Sequence, residues 1–86
     1  MPAPIAPIVH LNGTSADRLA ENLLRVYSTL QDAYQHLKQA APNGRDYYVG
    51  APGLFEAAVD QHRRRQQTLD SLINEIADEI NAIQNQ

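Results

Sequence analysis

The chain contains no cysteine and no tryptophan, and its 86 residues include only one phenylalanine and four tyrosines. Without cysteine, neither a disulfide framework nor a thiolate metal site can form. No apolar stretch approaches the roughly 20 residues that a membrane-spanning helix needs. Residues 1–7 also carry no basic segment of the kind that opens a secretion signal. These absences predict a cytoplasmic protein with no membrane partner.

The balance of charge also excludes one class of function. Seven Lys and Arg residues against ten Asp and Glu residues give a formal net charge of −3. Because general binding to DNA or RNA depends on neutralising phosphates, this balance argues against a general nucleic-acid binder. The only basic run is residues 63–65, and every charged residue after it is acidic.

What the chain does contain is an apolar repeat with alternating spacings of four and three residues. In the first half this spacing selects Leu19, Leu23, Val26, Leu30, Ala33, Leu37 and Ala40. A second stripe lies beside it, at Ala20, Leu24, Tyr27, Gln31 and Tyr34. In the second half the spacing selects Phe55, Val59, His62, Gln66, Leu69, Ile73, Ile76, Ile80 and Ile83. Such spacing places an apolar stripe along one face of each of two helices and predicts that the two faces pack together.

The predicted fold class is therefore all-α, an antiparallel two-helix hairpin with an extended N-terminal arm, in one domain. Prolines in the arm remove backbone donors and favour extended backbone. Thr14 or Ser15 is the predicted cap of helix one, and Pro42 stops that helix. The predicted segments are the arm at 1–13, helix one at 14–41, a loop at 42–52 and helix two at 53–85.

A lone hairpin of this size buries little, although 43% of its residues are hydrophobic. The two stripes of helix one form a face wider than one partner helix covers. We therefore expect a homo-oligomeric helical bundle. Ile80 and Ile83 extend beyond the start of helix one, where the apolar arm of the same chain or of another copy is available to cover them.

The loop carries the strongest candidate for a recognition site. Adjacent Tyr47 and Tyr48 are suited to stacking on a base, and Arg45 is suited to binding phosphate. In the alternative interpretation, one tyrosine caps the hairpin core and Asp46 closes a turn.

Two polar residues interrupt the stripe of helix two, His62 and Gln66. Polar residues in a helical seam can fix register and oligomeric state. Alternatively, His62 and Gln66 contact a ligand, flanked by Arg63 and Arg65. A metal site is not predicted, because glutamine is a poor ligand and no carboxylate shares the face at a suitable spacing.

The arginines at 63–65 spread around the helix, so they cannot all face one way. They either form a solvated face with salt bridges to Asp60 and Asp32, or one or two of them clamp a phosphate.

A polar cluster of His10, Asn12 and Thr14 precedes helix one. It either caps the helix or uses the exposed N–H groups of the helix start as an anion site. A helix of about 26 residues is roughly 40 Å long, which separates this cluster from Arg45 within one chain. Antiparallel association of two chains would bring both clusters into a composite site.

No pattern indicates catalysis. The histidines lack a Ser or Cys nucleophile at a suitable position, and no Gly-rich phosphate loop is present. The sequence therefore predicts a protein without enzymatic activity and without a cofactor.

Two segments carry a family resemblance. The sequence HLNGTS at 10–15 and the sequence NGRDYY at 43–48, followed by Phe55 and His62-Arg63, resemble a group of small proteins from tailed bacteriophages and prophages. The resemblance spans about residues 8–83 and implies source and architecture. In size, helical character and expected oligomerisation, the chain is also similar to phage anti-CBASS and anti-Thoeris sponges, which hold cyclic nucleotide signals between subunits. That likeness is at the level of fold.

These observations lead to two functional hypotheses. In the first, the chain is a phage anti-defence protein in the host cytoplasm that sequesters a cyclic nucleotide or a cyclic ADP-ribose-like signal at subunit interfaces. Its predicted ligand-binding residues are Arg45, Tyr47, Tyr48, His62, Arg63, Arg65, His10 and Asn12. In the alternative, it is a protein–protein interaction module that inhibits a host protein or assists phage assembly.

Overall fold

A computed structural model describes residues 3–86, and this part of the chain contains two packed α-helices and no strand. Helix α1 spans Ala16–Gln39, a short 3-10 helix spans Gly44–Asp46, and α2 spans Leu54–Gln84. The hairpin is a rod of 63 × 23 × 15 Å. These findings confirm the all-α class and the helical hairpin. We call the end with residues 40–53 the loop end, and the opposite end the arm end.

Helix α1 is two residues shorter at each end than the predicted 14–41. Ser15 is the N-cap with extended backbone, and its Oγ accepts a hydrogen bond from the Arg18 N–H at 3.2 Å. At the other end, the helical conformation is disfavoured for Ala41 because it precedes Pro42. The helix therefore ends at Gln39.

Helix α2 begins and ends one residue inside the predicted 53–85. Gly53 precedes the helix with a φ of 85°, a left-handed conformation that glycine adopts without steric strain. No side chain caps this helix start.

The buried face of α2 is the predicted one. All nine residues of its stripe are buried or half-buried. The four most deeply buried residues of the helix are His62, Ile73, Ile80 and Ile83.

The buried face of α1 is rotated relative to the first predicted stripe. Val26 is 43% exposed, and Ala33 and Ala40 are exposed as well. Four residues of the second stripe are buried or half-buried beside the four leucines of the first stripe: Ala20, Tyr27, Gln31 and Tyr34. Two tyrosine rings carry more apolar surface than valine and alanine, so this rotation buries more area.

The arm packs against the end of its own α2. The Val9 N–H donates to Gln86 Oε1 at 2.8 Å, and Gln86 Nε2 donates to the Pro7 carbonyl at 2.6 Å. In the last turns of α2, Ile83 is 1% exposed and Ile80 is 6% exposed. The predicted arm began at Met1, but residues 1 and 2 lie outside the described part.

Burial over residues 4–9 of the arm repeats every three residues, which is the period of a polyproline II helix. Ile5, Ile8 and Leu11 are 94%, 77% and 97% exposed. Ala6 and Val9, one step further along, are half-buried. The arm thus covers the core with one side and presents an apolar edge to solvent with the other.

The buried apolar core lies toward the arm end and consists of Ala20, Ile73, Ile80 and Ile83. Of the helices described, none is long and apolar enough to cross a membrane.

Candidate functional site

The loop end is organised by Asn43. Its Oδ1 accepts hydrogen bonds from the Arg45 N–H at 2.9 Å and from Arg45 Nε at 3.2 Å. The first of these bonds closes an Asx turn, and the Asp46 N–H adds a bond to the Asn43 carbonyl at 3.0 Å. The Arg45 side chain is therefore held through Nε, while these bonds leave its two terminal nitrogens for another partner.

The two loop tyrosines have different environments. The Tyr47 ring is half-buried and lies 6.0 Å from the Phe55 ring, centroid to centroid, with 42° between the planes. This is a typical aromatic pair, so Tyr47 caps the hairpin. Tyr48 is 81% exposed and so is Val49. The capping interpretation thus describes Tyr47, whereas Tyr48 has the exposure that base stacking needs.

A hollow of about 280 Å³ lies between the loop and the start of α2. Its lining includes Tyr47, Tyr48, Phe55 and Glu56. Arg45 does not line it. Within one chain, the aromatic side chains therefore share a hollow with a carboxylate, and the arginine lies outside.

His62 is in the interior of the hairpin and is only 7% exposed. Its Nε2 is buried and has no hydrogen-bond partner within residues 3–86. This burial favours a role in fixing register over contact with a ligand. An unsatisfied buried nitrogen also costs free energy of folding, about 1–3 kcal/mol.

Arg63 and Arg65 lie on different sides of α2. Arg63 Nη1 is 3.6 Å from Asp60 Oδ1, and both side chains are more than 60% exposed. Such a solvated pair contributes at most about 1 kcal/mol. No ion pair to Asp32 occurs among the described residues.

Arg65 lines an apolar groove of the hairpin, together with Arg64. The groove has a volume of about 520 Å³, and its apolar wall is formed by Leu37, Leu69 and Leu72. The apolar repeat did not predict this groove, because the repeat marks only the residues of the helix–helix seam. The available signal was Leu72, an apolar residue beside the stripe and seven positions after Arg65.

His10 and Asn12 lie in a turn at the arm end, and both are exposed. The Gly13 N–H donates to the His10 carbonyl at 3.1 Å. The His10 ring folds over Gly13, where an added Cβ would lie 2.7 Å from His10 Nε2. Glycine at this position therefore leaves room for the ring.

The predicted site residues thus fall into three separate places in one chain. The loop end holds Arg45, Tyr47 and Tyr48, the arm end holds His10 and Asn12, and α2 between them carries His62, Arg63 and Arg65. Because α1 alone is 24 residues long, about 36 Å, the two end clusters do not meet within the chain. Among residues 3–86, no group of three or more His, Asp and Glu side chains is placed to hold a metal ion.

No protein-family model, no curated protein and no solved structure matches this chain. The resemblance to phage proteins, which depends on two short motifs, stays a prediction.

Proposed function

We propose that this chain is a non-catalytic phage protein that binds and sequesters a phosphate-bearing nucleotide signal, and that it acts as a homo-oligomer. The observation that supports this proposal best is the construction of the loop end. There a held arginine lies three residues from a tyrosine that is 81% exposed.

The two side chains suit the two parts of a nucleotide. A guanidinium held through Nε presents its terminal nitrogens to a phosphate and loses little side-chain freedom on binding. An exposed tyrosine ring offers a face on which any base stacks. The Asx turn at Asn43 fixes the segment between them, which lowers the entropy lost when a ligand binds.

One loop is a small surface for tight binding, and a second set of polar side chains is exposed at the arm end. In an assembly where the arm end of one copy lies beside the loop end of another, His10 and Asn12 complete the site. Such a site forms only in the oligomer. This arrangement explains why the end clusters are far apart in one chain.

The test is native mass spectrometry of the protein alone and with a panel of cyclic nucleotides and ADP-ribose derivatives. We expect an oligomer that gains nucleotide mass in a fixed ratio. Arg45→Ala and Tyr48→Ala should each lower the bound fraction at least about ten-fold, since each removes one of the two main contacts.

Two matched variants serve as controls. Arg25→Ala removes an exposed arginine from α1, and Tyr48→Phe keeps the ring but removes the hydroxyl. Both should bind as the wild type does. An oligomer that stays empty with every nucleotide, or equal binding by Tyr48→Ala and Tyr48→Phe, would contradict the proposed site.

A second function is supported by the exposed apolar edge of the arm, formed by Ile5, Ile8 and Leu11. An extended segment with apolar side chains at every third position suits docking into an aromatic-lined groove of a protein partner. The chain would then be an interaction module. Ile5→Asn with Ile8→Asn should abolish stoichiometric capture of one defined partner from infected cells. Capture of the same proteins by wild type and variant would exclude this edge as the docking surface.

A further inference from the structure

The groove on α2 borders a stripe of side chains outside the helix–helix seam. This outer stripe has spacings of four and three and consists of Gln61, Arg65, Thr68, Leu72, Glu75 and Glu79. Its first half carries the basic Arg65, and its second half carries the acidic Glu75 and Glu79. A stripe with this spacing is suited to packing along another helix.

The accessible surface of the chain exceeds that of a typical folded monomer of its size. The accessible surface is 6502 Å², about 1,400 Å² more than the roughly 5,100 Å² typical of a folded monomer of 9.6 kDa. A stable interface of standard size buries about 800 Å² on each partner. The excess is therefore large enough for one such interface on each chain.

We infer that a second copy of this chain covers the groove and that the two α2 helices pair antiparallel about Asp70. In this register, residue numbers that face each other sum to 140. Arg65 then lies opposite the partner's Glu75, and Glu75 lies opposite the partner's Arg65. Gln61 lies opposite the partner's Glu79.

The charges of the outer stripe select this direction. A parallel pair would place arginine opposite arginine and glutamate opposite glutamate, which is destabilising. Within residues 3–86, neither Arg65 nor Glu75 has an ion pair. In the antiparallel pair each Arg65 faces a Glu75 of the other chain, and the two-fold axis generates this ion pair twice.

The apolar side chains fit the same register. Leu72 is 42% exposed and forms part of the wall of the groove. With a sum of 140, Leu72 of one chain lies opposite the partner's Thr68, which lines the partner's groove. Each chain thus places its Leu72 in the groove of the other chain. Both leucine side chains are then buried away from solvent. Filling the grooves adds apolar burial to the charge pairing.

The same register places the two ends of the molecule together. Leu54 at the start of α2 lies opposite the partner's Gln86 at the end of its chain. The loop with Arg45 and Tyr48 therefore comes beside the partner's arm, which carries His10 and Asn12. The inference deepens the proposed function by stating how two copies meet, but the pairing itself needs no ligand.

Charge reversal followed by sedimentation equilibrium tests the pairing. Arg65→Glu creates two glutamate–glutamate contacts in the dimer and should raise its dissociation constant at least about ten-fold. Glu75→Arg should do the same. The double variant R65E/E75R restores opposite charges and should return to near the wild-type value. The control is Arg63→Glu, which carries the same charge change but lies off the outer stripe, and it should not weaken the dimer.

Cross-linking gives a second measurement with small substitutions, since the chain has no cysteine of its own. A mixture of Thr68→Cys chains and Leu72→Cys chains should form a disulfide-linked dimer with one chain of each kind. Thr68→Cys alone should cross-link poorly. Circular dichroism confirms that the variants are folded.

Three results would overturn the inference: a monomer at millimolar concentration, equal effects of Arg65→Glu and Arg63→Glu, or efficient cross-linking of Thr68→Cys to itself. Its failure is separable from failure of the proposed function. Arg45→Ala should lose nucleotide binding with the oligomer intact, whereas Arg65→Glu should lose the oligomer even without nucleotide. A dimer with this pairing that binds no nucleotide would uphold the pairing and refute the sequestering function.

Discussion

The arm end and the loop end are built from the same two helices, but they bury apolar surface to different extents. At the arm end a third segment lies over the hairpin, and Ile80 and Ile83 are almost completely covered. At the loop end Tyr47 packs on Phe55, and Tyr48, Val49 and Leu54 remain exposed. Two helices cover only one stripe of each other, so a third layer is needed to form a core.

The comparison separates an end with a buried apolar core from an end with exposed side chains. The four buried apolar residues, Ala20, Ile73, Ile80 and Ile83, lie toward the arm end. The loop end has little buried surface, so its side chains are available for binding. The most deeply buried residue in the loop-side half is a histidine with an unsatisfied nitrogen.

The largest expected effect is at the arm end. Ile83→Ala removes a side chain that is 1% exposed and should lower the free energy of unfolding by about 2–5 kcal/mol. Urea denaturation followed by circular dichroism measures it. Ile8→Ala is the matched control because Ile8 is 77% exposed, and it should change stability by less than about 0.5 kcal/mol. Equal effects of the two substitutions would show that the arm does not form the lid of the core.

The next effect has the opposite sign and lies toward the loop end. His62→Leu removes the unpartnered Nε2 and keeps a side chain of similar size, so it should raise the free energy of unfolding by about 2 kcal/mol. His36→Leu, at an exposed position of α1, should leave stability nearly unchanged. A loss of stability in His62→Leu would mean that His62 Nε2 makes a polar contact in the assembled protein.

A smaller effect is expected where α2 begins. Gly53→Ala places a Cβ on a residue with a φ of 85° and should lower stability by about 1 kcal/mol. Gly44→Ala is the control, because a Cβ there meets only the Phe55 ring at 3.9 Å, an ordinary contact. Thermal unfolding of both variants measures the difference. Equal midpoints would show that the loop end tolerates a change of backbone at Gly53.

The smallest effect tests the link between the arm and α2. Gln86→Ala removes both hydrogen bonds to the arm backbone, and because the site is exposed the loss should be about 0.5 kcal/mol. Amide hydrogen exchange at Val9 should accelerate, while exchange in the middle of α2 should not. Unchanged exchange at Val9 would mean that apolar packing alone holds the arm.

The sequence predicted α2 better than α1 for a physical reason. In α2 one stripe is strongly apolar and has no competitor, so all nine predicted positions are covered. In α1 two adjacent stripes compete, and the choice depends on how tyrosine rings fit against α2. Spacing alone does not contain that information, and Val26 was therefore wrongly placed in the seam.

The candidate site was also predictable from the sequence only in part. Local chemistry identified the loop with Arg45 and the tyrosines, but it did not separate Tyr47 from Tyr48. That distinction arises from the packing of Tyr47 on Phe55, eight residues away. The groove beside Arg65 is formed by both helices and was not visible in either one alone.

The hydrogen bonds between the arm and Gln86 join residues 77 and 79 positions apart in the chain. Closing so long a loop directly is entropically unfavourable. Once the two helices have paired, however, only the short segment between Val9 and Ser15 remains to be closed. We therefore expect the arm to dock last during folding and to detach first, as a local opening that leaves both helices intact. Each such opening would briefly expose Ile80 and Ile83 at the end of α2 to solvent. The frequency of opening would set how often two molecules can exchange their arms.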